Sequence, residues 1–234
     1  MIETEDKFLP IGHGSGGHRE RLRQRFAKGG AAALADYELL EMLLFASNPR
    51  GDVKPLAKNL IKHFGSFAGV IAAPRKELLA VSGIGDVALT MIKLVEAAAL
   101  ELSKERVIKR EVMSNWRALL DYCRSAMAYQ RTEQFRILFL DNKNALIADE
   151  VQQTGTLNYA PVYPREIVKR CLELGASAII LLHNHPSGDP EPSKADIEMT
   201  HEIIEAVNVV GVAVHDHLII GLSGHTSLKS LGVI

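Results

Sequence analysis

The sequence predicts two fold classes in series, a small all-helical unit followed by an α/β (α+β) unit, and three observations predict it. Up to about residue 110, apolar residues recur at helical spacing between Gly and Pro breaks, without a strand candidate. From residue 111 onward, short β-branched runs alternate with helical patterns, as a mixed sheet with helices requires. Charge divides at the same place: residues 1–110 carry 17 Lys+Arg against 13 Asp+Glu, while residues 111–234 carry 10 against 15. The charged stretch ELSKERVIKREVMS has no core-forming periodicity and puts the boundary near residue 110. The expected organisation is a flexible N-terminus over 1–18, a helical domain over 19–110 and a mixed-sheet domain over 111–234.

Composition narrows the function classes. With 234 residues and 47% hydrophobic content the chain can bury one or two cores. No apolar run reaches the roughly eighteen residues of a membrane span, and MIETEDKFLP lacks the regions of a signal peptide, so a cytoplasmic protein without a membrane partner is expected. Cys123 and Cys171 form no C-x-x-C pattern, which argues against a disulfide framework and against thiolate-bound zinc; both read as core thiols.

In the first unit YELLEMLLFA, VKPLAKNLIKHF, FAGVIAA, RKELLAV and DVALTMIKLVEAAALEL are successive helices. His13 and His18, in IGHGSGGHRER, fall in a Gly-rich stretch that reads as flexible and as no site. The last two helices are joined by Ser82-Gly83-Ile84-Gly85, and LLAVSGIGDVALTMI resembles a helix-hairpin-helix. In that motif, glycines let backbone N–H groups approach a nucleic-acid phosphate. The resemblance leaves room for sequence-independent DNA contact through this unit, because phosphates carry no base information. Asp86 opposes it, while Lys93 and the basic cluster Arg19, Arg21, Arg23, Arg25 and Lys28 favour it. The same Gly-hydrophobic-Gly pattern also serves as a plain tight connection.

In the second unit Ser114 is the candidate N-cap of a helix carrying Trp116, Leu119, Leu120, Cys123 and Met127 at helical spacing. Strands follow at FRILFLD and ALIADEV, parted by the turn Asp141-Asn142-Lys143-Asn144, and QTGTLNYAPVYP reads as a loop. A helix from Pro164 to about Leu174 stops at Gly175 and leads into an apolar run from Ala178 to Leu182, read as a buried strand. VGVAVHDHLIIGL supplies a further strand.

That buried strand runs into HNHPSGDPEPSKAD, where two histidines, a serine and an aspartate stand at the spacing H-x-H-x7-S-x2-D. Residues i and i+2 of a strand point to one face, so His183 and His185 can both reach one ion. PSGDPEP is loop chemistry, and SKADIEMTHEIIEAV reads as a helix with Ser193 at its N-cap and Asp196 in its first turn. The loop thus returns a carboxylate to two imidazoles and leaves a fourth position for water, as catalytic zinc requires. A simpler reading is also available, in which S-x-x-D only caps a helix whose dipole favours an acid. Paired histidines closing an apolar strand are poorly explained that way, since neutral imidazoles there need partners. A second H-x-H, His215 and His217, has no third ligand close behind it and reads as structural or as support for the first pair, with Asp216 able to orient an imidazole.

The HNHPSGDPEPSKAD string resembles the JAMM motif of the JAB/MPN metalloproteases, and its context, from about HRERLRQRF to DHLIIGL, resembles the RadC (UPF0758) family. The resemblance implies an MPN-type curved mixed sheet flanked by helices and a zinc ion on His183, His185 and Asp196. It also implies that Ser193 donates to a developing oxyanion and that an upstream glutamate takes a proton from the attacking water. Glu133, in TEQFRILFLD, is the best match, with Glu150 and Glu166 as alternatives. The implied activity is zinc-dependent hydrolysis of a peptide or isopeptide bond in a peptide or protein substrate. The rival reading is a DNA-associated, repair-linked binding protein whose MPN domain is a scaffold.

Overall fold

The computed structural model describes residues 15–108, 110–155 and 162–234. His13 and much of the predicted QTGTLNYAPVYP loop lie outside them. The chain forms two compact units, Met1–Glu96 and Ala97–Ile234. Among the described residues, no helix is long and apolar enough to cross a membrane.

The first unit is helical throughout its described residues, with α1 (Ser15–Gly29), α2 (Asp36–Leu44), α3 (Lys54–Phe64), α4 (Phe67–Ala72), α5 (Arg75–Leu79) and the start of α6 (Asp86–Glu105). The apolar stripes of α2–α6 meet in one core that includes Leu40, Leu44, Leu60, Val70, Leu78, Leu89 and Ile92. Local signals set the breaks: Pro55 lies in the first turn of α3, Gly65 follows its end at φ 86°, and the Ser66 hydroxyl caps α4 by accepting Gly69 N–H. Between α5 and α6, Gly83 takes φ 97° and Ile84 turns into the core.

The helix α1 corrects the expectation of flexibility over residues 15–18. His18 lies within it, and its Nε2 is 2.7 Å from Glu41 Oε2. Arg19 donates to the carbonyls of Asn48, Pro49 and Gly51 and stacks on Phe45, while Arg25 pairs with Glu38. These tertiary bonds outweigh the low helix propensity of Gly16 and Gly17. They also engage inside the fold part of the basic cluster that had seemed available for phosphate.

The second unit is a five-stranded mixed sheet in the order β2-β1-β3-β4-β5. Its strands are β1 (Gln134–Leu140), β2 (Leu146–Thr154), β3 (Ala178–Asn184), β4 (Ala213–Ile220) and β5 (His225–Ser227). Only β3 and β4 run parallel; the other neighbours are antiparallel. The helix α7 (Trp116–Met127) covers one face, where Leu119, Cys123 and Met127 pack on Leu138, Leu140, Ile180, Leu182, Leu218 and Ile220. The helices α8 (Pro164–Leu174) and α9 (Lys194–Asn208) cover the other, where Ile167, Cys171, Ile203 and Val207 meet Phe135, Ile137, Phe139, Ile179 and Leu181. Every β3 position is buried, which explains its unbroken apolar run. Ser114 is not the N-cap of α7: that position is Asn115, and the Ser114 hydroxyl donates to Glu111 O.

Two terminations bring the chain to the site. Gly175, at φ 64°, ends α8 with Ala176 N–H bonded to Cys171 O, the hydrogen-bond pattern of a Schellman motif, and β3 begins two residues later. At the far end of β3 the backbone N–H of His185 still bonds Ile220 O of β4 before Pro186 turns the chain away.

Candidate metal centre

Strand alternation puts His183 on the α8/α9 face with Ile179 and Leu181, and register places it beside Phe135 of β1 and Ile219 of β4. His185 follows just beyond the strand, and the two Nε2 atoms stand 3.0 Å apart. Asp196 enters from the first turn of α9, with Oδ1 3.3 Å from His183 Nε2 and Oδ2 3.7 Å from His185 Nε2. A tetrahedral ion with bonds of about 2.0–2.2 Å sets its ligand atoms about 3.3–3.6 Å apart, close to this triangle.

Both imidazoles have Nδ1 turned away from the triangle. His185 Nδ1 is 2.8 Å from the carbonyl of Asp189, and His183 Nδ1 is 2.8 Å from His217 Nε2. Histidine ligands of metals commonly donate their second N–H in this way, which leaves the converging Nε2 lone pairs for the ion. Without an ion, two such lone pairs at 3.0 Å repel unless one of the rings is protonated. With a buried carboxylate, a buried imidazole and a partly exposed one as donors, the set fits zinc.

Burial pushes the Asp196 carboxyl up, but the neighbouring His183 and His185 imidazoles and the Ser193 hydrogen bonds outweigh it and hold the group well below the usual carboxylate range. The His185 imidazole is raised, mainly by its bond to Asp196. His217 is fully buried and pushed well down, first by desolvation and then by His183, so it is neutral.

Ser193 caps α9 as its spacing predicts: Asp196 N–H donates to Ser193 Oγ at 3.1 Å and Ser193 N–H donates to Asp196 Oδ2 at 2.8 Å. The serine hydroxyl also donates to Asp196 Oδ2, at 2.6 Å. The cap and the carboxylate triangle therefore share residues, so they are not competing explanations of S-x-x-D.

Glu133, immediately before β1, offers a carboxylate oxygen that lies within 4.8 Å of ligand atoms of His183 and His185. Glu150 is turned to α8, where Arg170 Nε and Nη2 hold it at 2.6–3.1 Å and depress its pKa. Glu166 is an exposed first-turn residue of α8 beside Arg165.

The second H-x-H divides. His217 backs onto His183, whereas His215 Nε2 lies 2.6 Å from Asn144 Oδ1 at the β1–β2 turn. Asp216 does not orient an imidazole: its oxygens accept His217 N–H, Ser227 Oγ–H and Lys229 N–H. That partner is Thr200 of α9, whose Oγ1 is 2.6 Å from His217 Nδ1. Asn184 is the other residue the sequence reading passed over. Its side chain, on the opposite face from His183, accepts Gln134 N–H and donates to the carbonyls of Gln130 and Thr132. A polar residue at a core position of an apolar strand or helix was the available signal for both.

Residues 113–233 match the family described as RadC-like JAB domain, and residues 17–90 match UPF0758 N-terminal. The chain belongs to the RadC family. A UPF0758 protein of Rhodobacter capsulatus is 57% identical over 213 residues, covering 91% of this chain and 100% of that protein. Another, from Ruegeria pomeroyi, is 55% identical over 217 residues, covering 93% and 97%. RadC membership carries with it the JAB type of fold, which the mixed sheet flanked by helices exhibits.

Proposed function

We propose that this RadC chain is a zinc-dependent hydrolase of the JAMM type, cleaving a peptide or isopeptide bond in a protein substrate. The observation that carries the reading is the convergence of His183 Nε2, His185 Nε2 and the Asp196 carboxylate at 3.0–3.7 Å, with the Glu133 carboxylate beside them. These three residues hold the ion, which when bound supplies an acidified water and a Lewis acid. Glu133 takes the proton of the attacking water on a carboxylate oxygen and returns it to the leaving amine. Asp196 keeps Oδ2 on the Ser193 N–H and O–H, which fixes the rotation of its carboxylate and leaves Oδ1 3.3 Å from His183 Nε2, where it would bind the ion. As charge develops on the substrate oxygen, the Ser193 hydroxyl turns its proton from Asp196 to that oxygen.

Metal content and turnover test this in two stages. Wild-type protein should hold one zinc per chain, lost in His183→Ala with the fold retained by circular dichroism. Glu133→Gln should keep the zinc and lose about 10²–10⁴-fold in cleavage of fluorogenic peptide and isopeptide substrates. A wild-type chain that binds no zinc, or a Glu133→Gln variant as active as wild type, would overturn the proposal.

A further inference from the structure

Behind His183 runs a buried chain of hydrogen bonds that ends on a backbone carbonyl. His183 Nδ1 lies 2.8 Å from His217 Nε2, His217 Nδ1 lies 2.6 Å from Thr200 Oγ1, and Thr200 Oγ1 lies 2.5 Å from the carbonyl oxygen of Asp196. His183, His217 and Thr200 are each 0% exposed, so solvent cannot exchange partners with any of them.

Chemistry allows one direction along this chain. A carbonyl oxygen only accepts, so the Thr200 hydroxyl proton points at Asp196 O. The Thr200 oxygen then accepts from His217, which must carry its proton on Nδ1. His217 Nε2 is consequently a bare lone pair, and the proton in the bond to His183 belongs to His183 Nδ1. In the neutral ring, that leaves His183 Nε2 unprotonated, facing His185 and Asp196. We infer that His217 and Thr200 are positioning residues that impose the metal-binding tautomer on His183, with the Asp196 carbonyl setting the polarity of the whole chain.

The surroundings hold each link in place. Thr200 is on the core-facing side of α9, one turn beyond Asp196, and bonding to the i−4 carbonyl fixes its χ1. The His217 ring is held edge-on by Phe135, with centroids 5.9 Å apart. Asp196 therefore enters the site twice, through its carboxylate beside the imidazoles and through its backbone behind them. A shift of the α9 N-terminus would move a carboxylate and the tautomer control of His183 together.

This inference rests on the metal reading, yet its decisive measurement does not. Long-range ¹H–¹⁵N spectra of the ¹⁵N-histidine-labelled full chain, recorded without metal, should show His217 and His183 as Nδ1–H tautomers. A His217 resonance of the Nε2–H type would overturn the relay whatever the protein binds. For the metal, Thr200→Val should weaken zinc about 10–100-fold in chelator competition, and Thr200→Ser should restore it to near wild type. Wild-type zinc affinity in a folded Thr200→Val chain would also overturn the relay. A wild-type protein without zinc affinity would instead sink the metal reading, leaving the tautomer result to judge the hydrogen-bond chain.

Discussion

The side-chain oxygen of Asn184 accepts the backbone N–H of Gln134 at 2.9 Å, and its amide donates to the carbonyls of Thr132 and Gln130 at 3.3 Å. Asn184 stands between the two histidines in sequence, so one side chain of that tripeptide secures the turn carrying Glu133 while its neighbours face the metal triangle. Asn184 is 1% exposed, and removing it takes a partner from the half-buried Gln134 N–H and from the carbonyls of the exposed Thr132 and Gln130. Loss of one such hydrogen bond costs about 0.5–1.5 kcal/mol. Asn184→Ala should speed amide exchange at Gln134 about two- to tenfold and lower turnover while leaving zinc stoichiometry intact. Unchanged exchange at Gln134 would refute the clamp.

Ser193 serves the α9 cap and, in the proposed chemistry, the substrate oxygen, and the two roles separate by substitution. Asn is as good an N-cap as Ser, but it has no hydroxyl. Ser193→Asn should therefore unfold within about 0.5 kcal/mol of wild type, whereas Ser193→Ala should lose about 1 kcal/mol. Both should lose turnover, by the roughly 3–4 kcal/mol of barrier that one oxyanion donor supplies. Full activity in Ser193→Asn would confine the serine to capping.

Both thiols should be silent in the native protein. Burial pushes the Cys171 thiol up to about 11, and Cys123, also fully buried, is raised by burial and by Asp149. The folded state thus favours the neutral thiol. The stability this contributes is fully present below the unfolded-state pKa near 9.0 and is lost as pH rises through the folded value of about 11. Native protein at pH 8 should not react with a disulfide reagent until urea is added, and stability should fall between about pH 9 and 11. Immediate labelling of either cysteine at pH 8 would contradict the burial.

The fold class was legible because the first unit repeats the helical apolar period while the second alternates strand-like runs with helical patterns, and the HNHPSGDPEPSKAD spacing was legible because strand end, loop and helix start are contiguous. What the sequence hid lies in register. Selecting Glu133 over Glu150 depends on Phe135 pairing with His183 and on Arg170 of α8 capturing Glu150. Thr200 and His217 meet only because α9 packs across β4, which no local spacing encodes. Strand alternation puts Asp216 on the face opposite His217, and the choice of Thr200 as the imidazole partner needed the packed helix. Likewise His18 looked unconstrained beside Gly16 and Gly17 until its bond to Glu41 was in view.

The loop that carries Asp189 is seated on Gly221, and that seat tolerates no side chain. A Cβ at Gly221 would lie 2.4 Å from Gly188 O, 2.9 Å from Gly188 C and 3.1 Å from Pro190 Cδ. Backbone atoms cannot rotate aside, so the Pro186–Pro192 loop must lift. Lifting it breaks the bonds from Ser223 to Gly188 O and withdraws the Asp189 carbonyl from His185 Nδ1. Overpacking of this kind costs about 1–3 kcal/mol, and loss of a partner behind a metal-binding histidine weakens metal about 10–100-fold. Gly221→Ala should therefore lose both stability and zinc affinity, although residue 221 is not itself a proposed ligand. If Gly221→Ala bound zinc as tightly as wild type in chelator competition, the seating of this loop would have no part in holding His185.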